Sequence, residues 1–252
     1  MSKMNLKKIL NYSPNFSPIK RKSTQVKFII FHYTGMRKET DAINRLINTK
    51  SEVSSHYLIK NNGEIITFIP DLYVAWHAGI SFWKNFKSLN KYSIGIEISN
   101  PGHDYNYKKF SKKQINSILK LSKFLIKKYK IKPQNILGHS DIAPHRKKDP
   151  GEKFPWKYLS KKNIGYWHNI DQKKLIKNRV LKTSGLENKL FFKNMYKIGY
   201  SKKIIKNSKL DIIKYKKLII KAFQRRFRQE LINGIIDQEC LIISENIAKK
   251  LN

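Results

Sequence analysis

Apolar residues in this chain follow two rhythms, and the switch between them marks out the elements. "VKFIIFHYTGM" (26–36) packs them into one unbroken run, the pattern of a strand buried on both faces, and its end presents His32, Tyr33 and Thr34. "TDAINRLINTK" (40–50) has helical spacing, with Ala42, Leu46 and Ile47 on one side. "SSHYLIKNNGEIITFIP" (54–70) reads as a strand pair turned at Asn-Asn-Gly. "YSIGIEISN" (92–100) alternates Ile94, Ile96 and Ile98 with Ser93, Gly95 and Glu97. A long amphipathic helix follows in "SKKQINSILKLSKFLIKKYK" (111–130), and "QNILGHSD" (134–141) is a short last strand. Strands interleaved with helices, plus one local hairpin, predict an α/β fold with a mixed central β-sheet flanked by helices. Such folds place their chemistry at strand ends and in loops.

Near residue 169 the texture changes. Glycines become rare and helical spacing dominates, most clearly in "KYKKLIIKAFQRRFRQEL" and "DQECLIISENIAKKL". The expected organisation is a catalytic body over 1–169, a Lys-rich linker over 170–186 and a small all-α domain over 187–252. No internal repeat is visible.

Composition adds little to this picture except on two points. Lys+Arg number 53 against 17 Asp+Glu, a net charge of +36 that would attract polyanions. Only eight of those cations are arginine, and no nucleic-acid motif is present, so specific nucleic-acid binding is not expected. The single cysteine, Cys240, excludes an internal disulfide and a Cys-rich zinc module. No stretch has the ~20 apolar residues of a membrane helix, and no signal peptide of ordinary form is recognisable at the amino terminus.

The chemistry concentrates in "LGHSDIAPHRKKDPGEKFPW" (137–156), which holds two histidines, two aspartates and a run of cations. His32 and His139 each follow a strand, and Asp149 lies ten positions beyond His139. Two imidazoles and a carboxylate, with a fourth position open, make a catalytic zinc set, although each histidine taken alone would ordinarily be a surface or hydrogen-bonded core residue. Glu97 lies within an otherwise apolar strand; alternation equally allows a solvent-facing carboxylate or one turned toward a metal. Lys147 stands two residues before Asp149.

Five blocks in order, "FHYTGM", "VSSHYLI", "AWHAGIS" with Trp83, "YSIGIEISNPGH" and "LGHSDIAPHRKKDPGEKFPW", resemble the type-2 N-acetylmuramoyl-L-alanine amidases, nearest to their AmiD-like branch, from about Ser13 to Trp167. The resemblance implies one zinc per chain held by His32, His139 and Asp149, with Glu97 and Lys147 as the catalytic pair. Glu97 would take a proton from water and pass it to the leaving amine, while Lys147 would stabilise the oxyanion. The implied reaction cleaves the amide between the lactyl group of N-acetylmuramic acid and L-alanine, in peptidoglycan or (anhydro)muropeptides. That implies a periplasmic or secreted protein, with a cytoplasmic recycling enzyme as the alternative. A metal-free binder of the same fold is the competing reading, and the complete ligand set weighs against it.

Tyr33, His56, His77 and His145 are expected to touch substrate at the cleft. His145 departs from the family, where glycine is common at that position. Trp76 and Trp83 suit core filling better than sugar stacking. "KAFQRRFRQELINGIIDQECLIISENI" is similar to the last two helices of a peptidoglycan-binding module. Within it Arg225, Arg226 and Arg228 would form a solvated face or meet stem-peptide carboxylates.

Overall fold

The structure is a computed structural model that describes residues 9, 10, 12–202 and 211–251; most of the amino-terminal stretch read for a leader lies outside them. The strands of the main sheet are β1 (Ile9–Leu10), β2 (Phe28–Phe31), β3 (Tyr57–Ile59), β4 (Ile65–Thr67), β5 (Ser93–Ile98) and β6 (Ile136–Gly138). Their order across the sheet is β1-β4-β3-β5-β2-β6. The β3–β4 hairpin is antiparallel, and β3, β5, β2 and β6 run parallel to one another, so the sheet is mixed as expected. Short antiparallel ladders join Phe16–Ser17 to Val74–Ala75 and Phe82–Trp83 to Phe86–Lys87.

Strand β2 is apolar throughout because both of its faces are covered. Ile29 and Phe31 point to one side, where Ile94, Ile96 and Ile98 of β5 meet Ile118, Leu121 and Leu125 of helix α2 (Lys112–Tyr129). That helix starts at a reciprocal cap: Ser111 Oγ accepts from Gln114 N at 3.2 Å and Gln114 Oε1 accepts from Ser111 N at 3.0 Å. A smaller cluster packs Leu46 of α1 (Glu39–Ile47) on Leu58, Ile66 and Phe68.

Phe28 and Ile30 point to the opposite side, and the carboxy-terminal helices cover them. After α3 (His139–Ile142) and α4 (Trp156–Ser160) come α5 (Gln172–Asn178), α6 (Gly185–Ile198), α7 (Ile212–Phe227) and α8 (Gln238–Lys250). Phe191, Met195, Phe223, Phe227 and Ile243 share one core with Phe28, Ile30, Leu137 and Ile142. The layers are therefore α2, sheet, and helical tail.

The stretch 170–186, expected as a linker, contains α5, capped by Asp171 Oδ1, and Leu175 of α5 is buried in that shared core. Helix α6 carries its own start signal, Ser184 with Glu187 in a capping box. The arginines of the tail are not a solvated face. Arg226 is 2% exposed and pairs with Asp141, while Arg228 is 1% exposed and pairs with Asp237. Neither presents its charge to a ligand from solvent, and the anions they meet lie within the chain.

Candidate active site

Register explains how residues 107 positions apart come together. In the parallel pair β2–β6, Phe31 stands opposite Gly138; in β2–β5 it stands opposite Ile96. One step beyond those pairs, His32 and His139 leave neighbouring strands at the same edge, and His32 N donates to Ile96 O at 3.0 Å. Ligands collect at the carboxyl ends of such parallel strands. On β5 the polar positions Ser93, Gly95 and Glu97 share a face; Glu97 lines a cleft of about 450 Å³, and Ser93 and Gly95 lie against His77, which lines it too.

His32 Nδ1, His139 Nδ1 and Asp149 Oδ2 stand 2.9, 3.0 and 3.1 Å apart, and all three side chains are buried. Three ligands of a tetrahedral zinc at ~2.0 Å would be about 3.3 Å from each other, close to this spacing. His139 Nε2 donates to Ala78 O at 3.2 Å, which leaves its Nδ1 as a lone pair facing the Asp149 carboxylate. Acceptors converging on one point are what a divalent cation satisfies, so the donor set fits zinc. Burial lowers the His32 pKa to about 4, with His139 adding to it and Asp149 opposing. Burial alone would raise Asp149, but the two imidazoles hold its carboxyl well below the usual carboxylate range. Both histidines are thus ready as neutral ligands and Asp149 as an anion.

The loop that delivers Asp149 is tied down at each turn. Ser140 N donates to Asp149 O at 2.8 Å, Tyr107 Oη donates to Pro150 O at 2.6 Å, and Asp141 Oδ2 accepts from Gly138 N at 2.8 Å. Gly138 is required here, since a Cβ would lie 2.6 Å from Pro150 Cδ.

Glu97 is partly buried; its Oε2 is sealed from solvent and has no hydrogen-bond partner among the described residues. Burial pushes this carboxyl well above its ordinary pKa, Asp149 adds to the effect, and Lys147 and Arg45 oppose it. Lys147 lines the same cleft, and its charge acts on Glu97, His32 and His139. Arg146, which the sequence reading passed over, donates through Nη2 to Ala78 O and to Ile80 O (3.0 Å), clamping the segment 78–80 beside the site. Nothing in the sequence distinguished it from the other cations of its run. Arg45, Trp76 and Asp104 also line the cleft.

The four residues expected to touch substrate separate in the structure. Tyr33 lines the cleft, its Oη 2.8 Å from His103 Nδ1. His77 lines it too, but its ring contacts His32. His56 does not reach it: the side chain is fully buried, Nδ1 accepts from Gly95 N at 3.0 Å and Nε2 donates to Tyr73 O at 3.0 Å. His145 is also outside the cleft wall, its ring turned toward Tyr215 of α7 at 6.4 Å. Trp83 fills the core, as expected, whereas Trp76 stands at the cleft.

Residues 22–152, which hold every one of these cleft residues, match the family described as N-acetylmuramoyl-L-alanine amidase. The chain belongs to that family. As an amidase it is 33% identical to N-acetylmuramoyl-L-alanine amidase AmiD of Escherichia coli over 239 residues, covering 90% of this chain and 83% of the relative. It is 40% identical to the 1,6-anhydro-N-acetylmuramyl-L-alanine amidase AmpD of Haemophilus influenzae over 110 residues, 43% of this chain and 58% of that one. The solved complex of E. coli AmiD with anhydro-N-acetylmuramic acid-L-Ala-D-gamma-Glu-L-Lys aligns with a TM-score of 0.76 at 32% identity, covering 93% and 92% of the two chains. AmpDh3 of Pseudomonas aeruginosa, solved with an anhydromuramic pentapeptide, aligns at 0.75 with 29% identity over 93% and 94%. Both alignments extend across the helical tail of this amidase as well as its sheet.

Proposed function

We propose that the chain hydrolyses the amide between the lactyl group of N-acetylmuramic acid and the L-alanine of a stem peptide, with muropeptides or peptidoglycan as substrate. The observation that carries the reading is the meeting of His32, His139 and Asp149 with Glu97 and Lys147 in one cleft. One zinc per chain, held by the three ligands, would polarise the amide carbonyl and make water acidic enough to attack at neutral pH.

The chain's own groups manage charge and protons. Glu97, with an oxygen free of partners, takes the proton of the attacking water and gives it to the amide nitrogen as the C–N bond breaks. An ammonium at Lys147 opposes the charge that grows on the carbonyl oxygen. Arg45, Arg146 and Lys148 add positive charge around the cleft, which suits a stem peptide bearing carboxylates. The substrates named in the solved AmiD and AmpDh3 complexes support the muropeptide class. Work on the wall itself calls for a periplasmic or secreted enzyme. Among the described residues no helix is long and apolar enough to cross a membrane.

The test is zinc content and stem-peptide release from purified anhydromuropeptides, on wild type and His139→Ala. One zinc per wild-type chain with release, both lost in the variant, is expected. A folded wild type that binds zinc but releases nothing would overturn the reading.

A further inference from the structure

Three hydrogen bonds in series run from the sheet to the metal cluster, and they determine where each hydrogen lies. Ser93 Oγ is 2.6 Å from Leu89 O, to which it can only donate. A hydroxyl has one hydrogen, so toward His77 Nε2, 3.1 Å away, Ser93 can only accept. His77 must then carry its hydrogen on Nε2. Its Nδ1 is left bare, and the partner at 3.0 Å is His32 Nε2, which therefore donates. With that hydrogen on Nε2, the other nitrogen of His32 is a lone pair directed at His139 Nδ1 and Asp149 Oδ2.

From this series we infer that His77 is a positioning residue: with Ser93 it fixes the tautomer and the ring direction of His32, so that Nδ1 is presented to zinc. The inference rests on the amidase reading of the metal cluster and assigns a residue to hold it.

The surroundings are built for this ring. His77 is 8% exposed and lies across Gly95, where a Cβ would come within 2.4 Å of His77 Cγ. Its main-chain N donates to Asn90 Oδ1 at 3.1 Å, and the preceding N of Trp76 donates to Ser54 Oγ at 2.8 Å, so the segment cannot swing. The rings of His32 and His77 cross at 81° with centroids 5.1 Å apart, an in-line hydrogen bond rather than a stack. Strand β5 thus serves the site at three alternate positions: Ser93 anchors His77, Gly95 seats it, and Glu97 faces the substrate space. A partner on the second nitrogen of a ligating histidine is generally worth about 10–100-fold in metal affinity.

The experiment reads hydrogens first. Nitrogen-detected NMR of the histidine rings, on wild type with and without zinc, is expected to show His77 protonated on Nε2 and His32 protonated on Nε2. A hydrogen on His77 Nδ1 would overturn the assignment.

Zinc competition with a chelator then compares variants whose folding is checked by thermal unfolding. His77→Phe is expected to raise the zinc Kd about 10–100-fold. His77→Gln, whose amide can both accept from His32 and donate to Ser93, is expected to recover most of that loss. An unchanged Kd in folded His77→Phe, or equal losses in the two variants, would leave His77 only a packing role and refute the proposal. Absence of stem-peptide release by zinc-loaded wild type would instead count against the amidase reading, and the NMR result would still decide the hydrogen placement.

Discussion

Replacing Arg226 with methionine separates the helical tail from the metal loop with one side chain. Arg226 Nη1 lies 2.5 Å from Asp141 Oδ2 and Nη2 donates to Ile136 O at 3.0 Å; its guanidinium also lies 4.2 Å over the Trp156 ring and 4.6 Å over that of Tyr166. Asp141 is 2% exposed and two residues from His139. Methionine restores much of the apolar contact but leaves the carboxylate buried, among the described residues, with Tyr200 Oη (2.7 Å) and Gly138 N (2.8 Å) as its remaining donors. Breaking a buried pair on one side costs about 3–5 kcal/mol. For a chain of this size that is a fall in Tm of roughly 6–20 °C, at ~2–4 °C per kcal/mol.

Urea and thermal unfolding of Arg226→Met, Asp141→Asn and the double variant form the assay. The double variant should be less destabilised than the sum of the singles by about 1–3 kcal/mol. Zinc affinity should fall with the single variants, because Asp141 caps the turn that carries His139. A loss below ~1 kcal/mol, the range of exposed pairs, would refute the idea that this contact couples tail to loop.

Three further outcomes can be checked directly. Removing residues after 184 would uncover Phe28, Ile30, Leu137 and Ile142, so the truncated chain should lose cooperative unfolding and stem-peptide release together; retained activity on soluble muropeptides would make the tail a detachable module. Lys147→Ala should keep zinc and lose about 10²–10³ in kcat, measured by stem-peptide release, and a near-normal rate would exclude Lys147 from oxyanion stabilisation. His56 and His168 are held neutral by burial, with pKa values of about 3 and about 4 against 6.5. A base whose folded pKa is depressed gives up stability as pH falls below its unfolded value, so the unfolding free energy of the metal-free protein, read from urea midpoints, should drop between pH 6.5 and 4, by ~2 kcal/mol for each group at pH 5. A midpoint flat over that window would show these rings to be charged in the fold.

Much of the sheet was legible because its strands obey simple rules. The unbroken apolar run of β2 follows from cover on both faces, and the Asn-Asn-Gly turn sets the β3–β4 hairpin. What failed was inference about which surfaces meet. The polar face of β5 could have been solvent; instead Glu97 lines the cleft and Ser93 holds His77, which only the tertiary neighbours decide. The arginine run at the end of α7 looks solvated in sequence because the partners, Asp141 for Arg226 and Asp237 for Arg228, lie 85 and 9 positions away on other elements. A helix in the supposed linker was missed since its buried contact, Leu175, belongs to a core shared with the tail. His56 and His145 have sequence neighbours like those of cleft residues, yet Gly95 N and Tyr73 O claim one ring and Tyr215 stands by the other.

Because His32 and His139 each follow a different strand and Asp149 lies on the loop beyond, the ligand set does not exist in any local fragment of the chain. Contacts of such long sequence range form late, after the entropy of closing the intervening loops has been met. Zinc would then be captured only by a chain whose sheet is already in register. In a refolding experiment, metal uptake would report the moment at which β6 docks beside β2, making the active site a clock for its own topology.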